Sequence, residues 1–131
     1  MSPTMKTFLL TWGLIVLSAL FDSYAAFVVK TKFNELGHID FSSFSTFWDY
    51  MMQFIRNPKL LLAIIAFVAA PGLWFMALNR MDLSIGYPIL VGFHLLFVLL
   101  FGTFALNEMF TWNKLIGVAL VLSSLYFFYK K

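Results

Sequence analysis

Cysteine is absent from this chain, and charge is scarce: only 11% of its 131 residues are Asp, Glu, Lys or Arg. Without cysteine there is no disulfide, no thiol nucleophile and no thiolate zinc site. A water-soluble domain carries about 25% charged residues, and the fraction here is too small to cover a water-facing globule. That excludes a soluble enzyme, a disordered chain and a free nucleic-acid-binding domain. The net charge is +3, but the nine Lys and Arg are scattered singly and form no basic patch. There is no Ser/His/Asp set and no phosphate-cradling glycine loop, and the two histidines lie in distant segments. No metal, no cofactor and no enzymatic activity are therefore expected. What is present is apolar: 62% of the residues are hydrophobic and 20% aromatic. The length allows one domain, and the composition is that of a membrane protein.

A hydrocarbon core about 30 Å thick needs about 20 apolar residues at 1.5 Å each. Four runs qualify: residues 8–29, 60–78, 85–106 and, shorter, 115–129. Asp22 breaks the first, and Lys30 and Lys32 close it. Its apolar stretch continues to Val29, past Ser23-Tyr24-Ala25, so it is read as a span and not as a cleaved leader. Trp12, Trp112, Tyr126 and Tyr129 stand near span ends, where amphipathic rings favour the headgroup level. With no water to satisfy the backbone, each span should be an α-helix. The expected fold is an all-α membrane protein: one transmembrane domain of four helices over residues 1–131, with an amphipathic helix in the first loop.

That loop helix is expected over residues 41–56. At about 100° per residue, Phe41, Phe44, Phe47, Trp48, Met51, Met52, Phe54 and Ile55 fall on one side. Ser42, Ser45, Thr46, Asp49, Gln53 and Arg56 fall on the other. Asp40 or a following serine can cap its start, and Asn57-Pro58 stops it. Such segregation fits a helix lying in the bilayer interface; a helix packed across the mouth of the bundle is the alternative.

Alternate crossing puts Lys6, Arg80, Lys130 and Lys131 on one side of the membrane, four cations. Lys30, Lys32, Arg56, Lys59 and Lys114 fall on the other, five cations. Lys/Arg bias normally sets orientation, and four against five sets almost none. Either the chain inserts both ways and pairs antiparallel with itself, or a partner fixes its orientation.

Asp22 is the one acidic residue deep in a span. A carboxylate there costs at least about 2.5 kcal/mol, so it should face an interior or a wet cavity. Its helical neighbours Ser18, Ala19, Ala25 and Ala26 are small, which lets another helix approach closely or leaves room for a ligand. One carboxylate can exchange a proton for a cationic substrate; the plainer reading is a hydrogen bond that holds helices together. Tyr87 and His94, seven residues apart, share a face and can line the same cavity, Tyr as donor and His as proton carrier. The plainer reading of His94 is a neutral imidazole bonded to a backbone carbonyl or another helix. Pro71-Gly72, and Gly86, Pro88 and Gly92, interrupt two spans in the manner of transporter hinges. Gly117 and Ser124 form a small-residue stripe suited to a helix–helix contact, within the chain or between chains. Glu108 is expected to be solvated at the interface.

From Arg80 onward the chain resembles the four-helix members of the drug/metabolite transporter superfamily. Met81-Asp82-Leu83-Ser84-Ile85-Gly86-Tyr87-Pro88 is similar to the loop and third-helix start of the small multidrug resistance family. Gly102, Asn107-Glu108-Met109 and Lys114-Leu115-Ile116-Gly117 resemble the segment that follows. Asp22 precedes Lys30 by eight positions, the spacing of the acid and lysine in that family's first helix. The resemblance implies a bundle of that family's type, with Asp22 as coupling carboxylate, Tyr87 in the substrate site and Gly117 and Ser124 in a dimer contact. It also implies an antiparallel dimer exchanging protons for cations by alternating access. The departures are an Asp in place of Glu, Leu90 where an aromatic normally stacks on a drug, His94 in place of a glycine, and a longer first loop. Tyr87-Pro88 and that loop resemble the small EamA-type proteins, which include subunits of an aminoarabinose-lipid flippase. The expected function is a proton-coupled dimeric exporter of a small cationic or amphipathic solute. The alternatives are a flippase subunit for a lipid-linked amino sugar, paired with a paralogous partner, and an assembly subunit that transports nothing. The expected partners are the lipid bilayer, a second subunit and a small-molecule or lipid-linked substrate, with no nucleic acid. By analogy the expected location is a bacterial inner membrane, crossed several times.

Overall fold

A computed structural model describes residues 2–38 and 41–130 of the chain. The expected Asp40 cap and the Lys131 charge lie outside the described residues, as does the side chain of Tyr129. Five helices follow one another: α1, Pro3–Leu36; α2, Phe44–Ile55; α3, Pro58–Leu78; α4, Leu83–Leu100, which runs on into a π-helical turn, Phe101–Ala105; and α5, Trp112–Tyr129. No strand occurs among the described residues. Among the described residues three apolar helices are long enough to cross a membrane, Pro3–Leu36, Pro58–Leu78 and Leu83–Ala105, and a shorter apolar one covers Trp112–Phe128. The chain is a multi-pass membrane protein.

Local chemistry explains most of the boundaries. Ser2 caps α1 by accepting from the Met5 amide at 3.2 Å, with Pro3 in the first turn, where its missing N–H costs nothing. Asn57 caps α3 by accepting from Lys59 at 2.9 Å, again with a proline next. Asn57-Pro58 thus ends α2 by starting α3. Thr111 accepts from Lys114 at 3.3 Å at the head of α5.

At both ends the first helix extends beyond the apolar run expected to cross the membrane. α1 has 34 residues, about 51 Å at 1.5 Å each, so it stands well clear of a 30 Å core. Lys30 and Lys32 do not end it, because a lysine beyond the apolar stretch leaves the hydrogen-bond ladder intact; Lys32 pairs with Glu35 at 2.8 Å one turn on. The end comes at Gly37, whose φ of 81° is open to glycine, and whose N–H closes on the Phe33 carbonyl at 2.9 Å. The amphipathic helix spans Phe44–Ile55, within the expected 41–56, and Ser43, one of the serines that follow Asp40, occupies its N-cap position. No residue of α2 is buried. Phe54, with its ring 5.7 Å from that of Phe33, and Tyr50, donating to the Gly37 carbonyl at 3.2 Å, fasten it to α1. Phe44, Trp48 and Ile55 remain exposed.

Two small clusters define the packing. Leu14 and Ile15 of α1 meet Ala77 of α3 and Ile89 of α4. Further along α1, Ala25 and Val28 meet Leu60 and Ala63 near the start of α3. The two registers make α3 antiparallel to α1. The Ile89 contact at one end and the Phe27–Phe101 ring stack, 5.3 Å, at the other make α4 parallel to α1. α5 returns antiparallel along α4, placing Leu125 against Gly92.

The expected hinges are not breaks. α3 passes through Pro71, and α4 through Gly86, Pro88 and Gly92, without interruption. Two of the glycines serve close packing instead. A Cβ on Gly92 would lie 2.7 Å from Leu125 Cδ1, and one on Gly86 would lie 2.7 Å from Met81 Sδ. The irregular backbone comes later, in the π turn. Leu106 donates to the Phe101 carbonyl and Glu108 to that of Gly102, and Asn107 sits at φ 53°, a left-handed position that Asn tolerates.

Candidate functional site

α1 presents its small residues to α3 and α4, and their size sets the site. Ser18, Ala19 and Ala25 are buried, as the packing reading expects. Ser18 Oγ donates to the Ala70 carbonyl at 2.7 Å, one residue before Pro71. Ala26 is exposed, beside a groove that the neighbouring helices leave open.

One turn beyond Ser18, Asp22 Oδ2 lies 3.1 Å from His94 Nδ1 of α4. An ionised carboxylate only accepts, so with Asp22 charged the proton of this contact sits on Nδ1. Ser23, 1% exposed, approaches the same nitrogen at 3.3 Å and the His94 carbonyl at 3.4 Å. The imidazole is therefore held from α1 by two consecutive side chains. The pair is not sealed: 43% of the Asp22 side chain and 32% of the His94 side chain remain accessible. That access opens onto a cavity of about 360 Å³ walled by Ser18, Asp22, Pro71, Trp74, Tyr87, Leu90 and His94.

All three residues singled out for substrate and proton coupling thus line one cavity. Tyr87 is 56% exposed at its mouth, with its ring 6.2 Å from that of Trp74. Leu90 contributes an aliphatic wall where a stacking aromatic would stand. Among the described residues no cluster of His, Cys, Asp and Glu can hold a metal ion. The chemistry on offer is one carboxylate, one imidazole and two hydroxyls in an apolar surround. Such a site can bind an ammonium or carry a proton; among these residues there is no activated nucleophile.

A second cavity, about 320 Å³ and almost wholly apolar, opens on the other flank of Asp22, between Ala25, Ala26 and Val29 of α1 and Ala63, Ile64 and Phe67 of α3. Glu108 is exposed, as expected, but its carboxylate folds back over the π turn, where a Cβ on Gly102 would meet it at 2.9 Å. An added Cβ at Gly117 would meet nothing within 4 Å, and Gly117 borders a cavity of about 410 Å³ shared with Leu95 and Val98 of α4; the half-buried Ser124 turns its Oγ to the Val121 carbonyl of its own helix at 2.7 Å.

Sequence reasoning missed Ser23 and Trp74. For Ser23 a signal existed, a hydroxyl adjacent to the only acid in an apolar run, but neighbours were sought three and four residues away. For Trp74 there was none, since it reaches the site through the register of α3 against α1.

No family model matches the chain, and no solved structure matches it. Two proteins described as probable 4-amino-4-deoxy-L-arabinose-phosphoundecaprenol flippase subunit ArnF are similar to it. The one from Erwinia tasmaniensis is 33% identical over 88 residues, covering 66% of this chain and 69% of that protein. The one from Sodalis glossinidius is 40% identical over 65 residues, about half of each chain (47% and 48%). Both names describe a transport role rather than a catalytic one. A third of the residues identical across two thirds of the Erwinia protein, on a helical chain with a polar pair inside its apolar spans, places this protein in the family of the ArnF-type flippase subunits.

Proposed function

We propose that the chain is one membrane subunit of a flippase for a lipid-linked amino sugar, and that Asp22 receives the sugar's ammonium group. The observation that carries this reading is the Asp22–His94 contact at 3.1 Å on the wall of a cavity inside apolar helices. A charged group in a span is costly and tends to mark a substrate or proton path, and a carboxylate partnered by imidazole can trade that partner for an ammonium. In this reading Tyr87 orients the sugar at the cavity mouth and His94 carries the proton exchanged. All four apolar helices cross an inner membrane as one domain of the drug/metabolite transporter type. The open face of α5 around Gly117 and Ser124 meets a second, paired subunit. The balanced distribution of cations fits a chain whose orientation is set by such a partner.

The same balance favours a second reading, an antiparallel homodimer that exports small cations in exchange for protons. Single cysteines near the C-terminus and in residues 37–43 of this cysteine-free chain separate the two. Labelling of each site from one face only is expected for the flippase subunit; labelling from both faces supports the homodimer. In the assembled complex Asp22→Asn is expected to lower transport of the lipid-linked amino sugar at least tenfold with the amount of complex unchanged. Unchanged transport overturns the role of Asp22.

A further inference from the structure

Beyond Asp22, the same face of α1 carries a second polar group at a spacing that matters. Residues four apart on a helix advance about 6 Å and rotate about 40°, so Asp22, Ala26, Lys30 and Asn34 form one slowly winding row. Asp22 and Lys30 are about 12 Å apart along the axis by that geometry. Helical side chains lean toward the N-terminus, so the long lysine reaches back toward Asp22 and shortens the gap. The residue between them is alanine, and it is exposed. Ala26 lines both the apolar groove that contains Asp22 and a small cavity, about 150 Å³, that contains Lys30 and, from the segment after the π turn, Glu108, which leaves the side of Lys30 toward Asn34 for an anion. Lys30 also lines a cavity of about 370 Å³ together with Asn34 and His38. Among the described residues no carboxylate lies within ion-pair distance of its ammonium.

We infer that this row is a bipolar cradle for a zwitterionic prenyl phosphodiester of an amino sugar. The inference rests on the proposed role of Asp22 and adds where the rest of the molecule sits. The ammonium lies at Asp22 and the sugar ring over Ala26. The phosphodiester takes charge-assisted hydrogen bonds from Lys30 and a further one from the Asn34 amide. The prenyl tail leaves through the groove between α1 and α3, against Ala63 and Phe67. Charge complementarity argues for the occupant: one anionic and one cationic group stand eight residues apart on the row, with the exposed Ala26 between them and an apolar groove beside it. A simple cation would use Asp22 and leave Lys30 idle; an ordinary anionic lipid would do the opposite.

The test uses the full chain in phosphatidylcholine nanodiscs and three short-chain synthetic probes: a prenyl phosphodiester of a 4-amino-4-deoxypentose, its N-acetyl derivative, and the prenyl glycoside of the same amino sugar without phosphate. Lys30→Gln is expected to weaken the two phosphate-bearing probes at least tenfold and the phosphate-free glycoside less than twofold. Asp22→Asn should weaken the two amine-bearing probes and spare the N-acetyl one. Lys30→Arg should restore binding, and Ala26→Leu, with both charges intact, should cost the full probe at least tenfold. If Lys30→Gln weakens all three probes equally, or none, the cradle is overturned while the role of Asp22 can stand. If Asp22→Asn affects none while Lys30→Gln acts as expected, the Asp22 reading fails and the phosphate site survives. A wild-type chain that binds none of the three overturns both.

Discussion

The three helices α1, α3 and α4 and the two helices α2 and α5 answer the same hydropathy in different ways. In the first group small residues bring backbones together: Ala19, Ala25, Ala63 and Ala77 are buried, and Ser18 reaches across to a carbonyl of α3. The contacts of Ser18 with Ala70, of Ser23 with His94 and of Asp22 with His94 lie there. In the second group Leu125 and Phe54 pack inward, but many apolar residues face outward, with Leu120, Phe127, Phe44 and Trp48 exposed. Apolar surface has no hydrophobic reason to leave lipid, so in a bilayer it is close backbone approach and hydrogen bonding that decide which helices pack. The site sits in the packed group because a polar pair needs fixed partners on two helices. The loose group leaves apolar surface for lipid and, in the assembly proposed above, for a second subunit.

The contrast can be broken most forcefully at two glycines. Gly92→Leu drives a side chain into Leu125 and is expected to cost about 1–3 kcal/mol by overpacking, seen as a lower midpoint of unfolding in detergent and faster proteolysis of α5. At Gly117 an added Cβ would have no neighbour within 4 Å, and a cavity of about 410 Å³ lies beside it, so Gly117→Leu should lower that midpoint far less and act chiefly on association with a second subunit. Equal effects on the isolated chain would mean that α5 packs through both faces. A smaller effect is expected at Ser18→Ala, which removes the 2.7 Å bond to Ala70; interhelical bonds of this kind contribute about 0.6 kcal/mol on average. A loss above about 2 kcal/mol would show that Ser18 also supports the geometry of Asp22, one turn away. The smallest change belongs to Trp48→Ser. It should leave the unfolding midpoint of the bundle in place while its loss abolishes the blue-shifted fluorescence of a ring in the interface. A shift of the midpoint would mean that α2 lies on the bundle and not on lipid.

The readable parts of the fold were those that depend on neighbours in sequence. Hydropathy runs located every apolar helix, and the phase of Phe44, Trp48 and Ser45 about a helical axis located α2. Boundaries slipped where a charge was taken as a stop: Lys30 and Lys32 closed the first run in the sequence, while the helix continued to Gly37, where backbone conformation changes. Prolines and glycines were read as breaks, yet Pro71 and Gly92 lie in continuous helices, and the irregular turn came at Phe101–Ala105, which no residue pattern announced. Asp22 was legible as an anomaly, since an acid in an apolar run needs an explanation wherever it points. That His94 should be its partner was legible only as a shared possibility.

By itself, then, the sequence determined that this is a helical membrane protein, that its charges leave orientation nearly undecided, and that Asp22 is its exceptional residue. Hydrogen bonding within a helix and transfer of side chains into lipid are local energies, summed along the chain, and composition fixes their sum. The tertiary structure alone decided that His94 meets both Asp22 and Ser23, that Trp74 walls the cavity, and that Ala26 is open while Ala25 is covered. Those outcomes depend on the register between helices, which small residues set by how closely two backbones can approach.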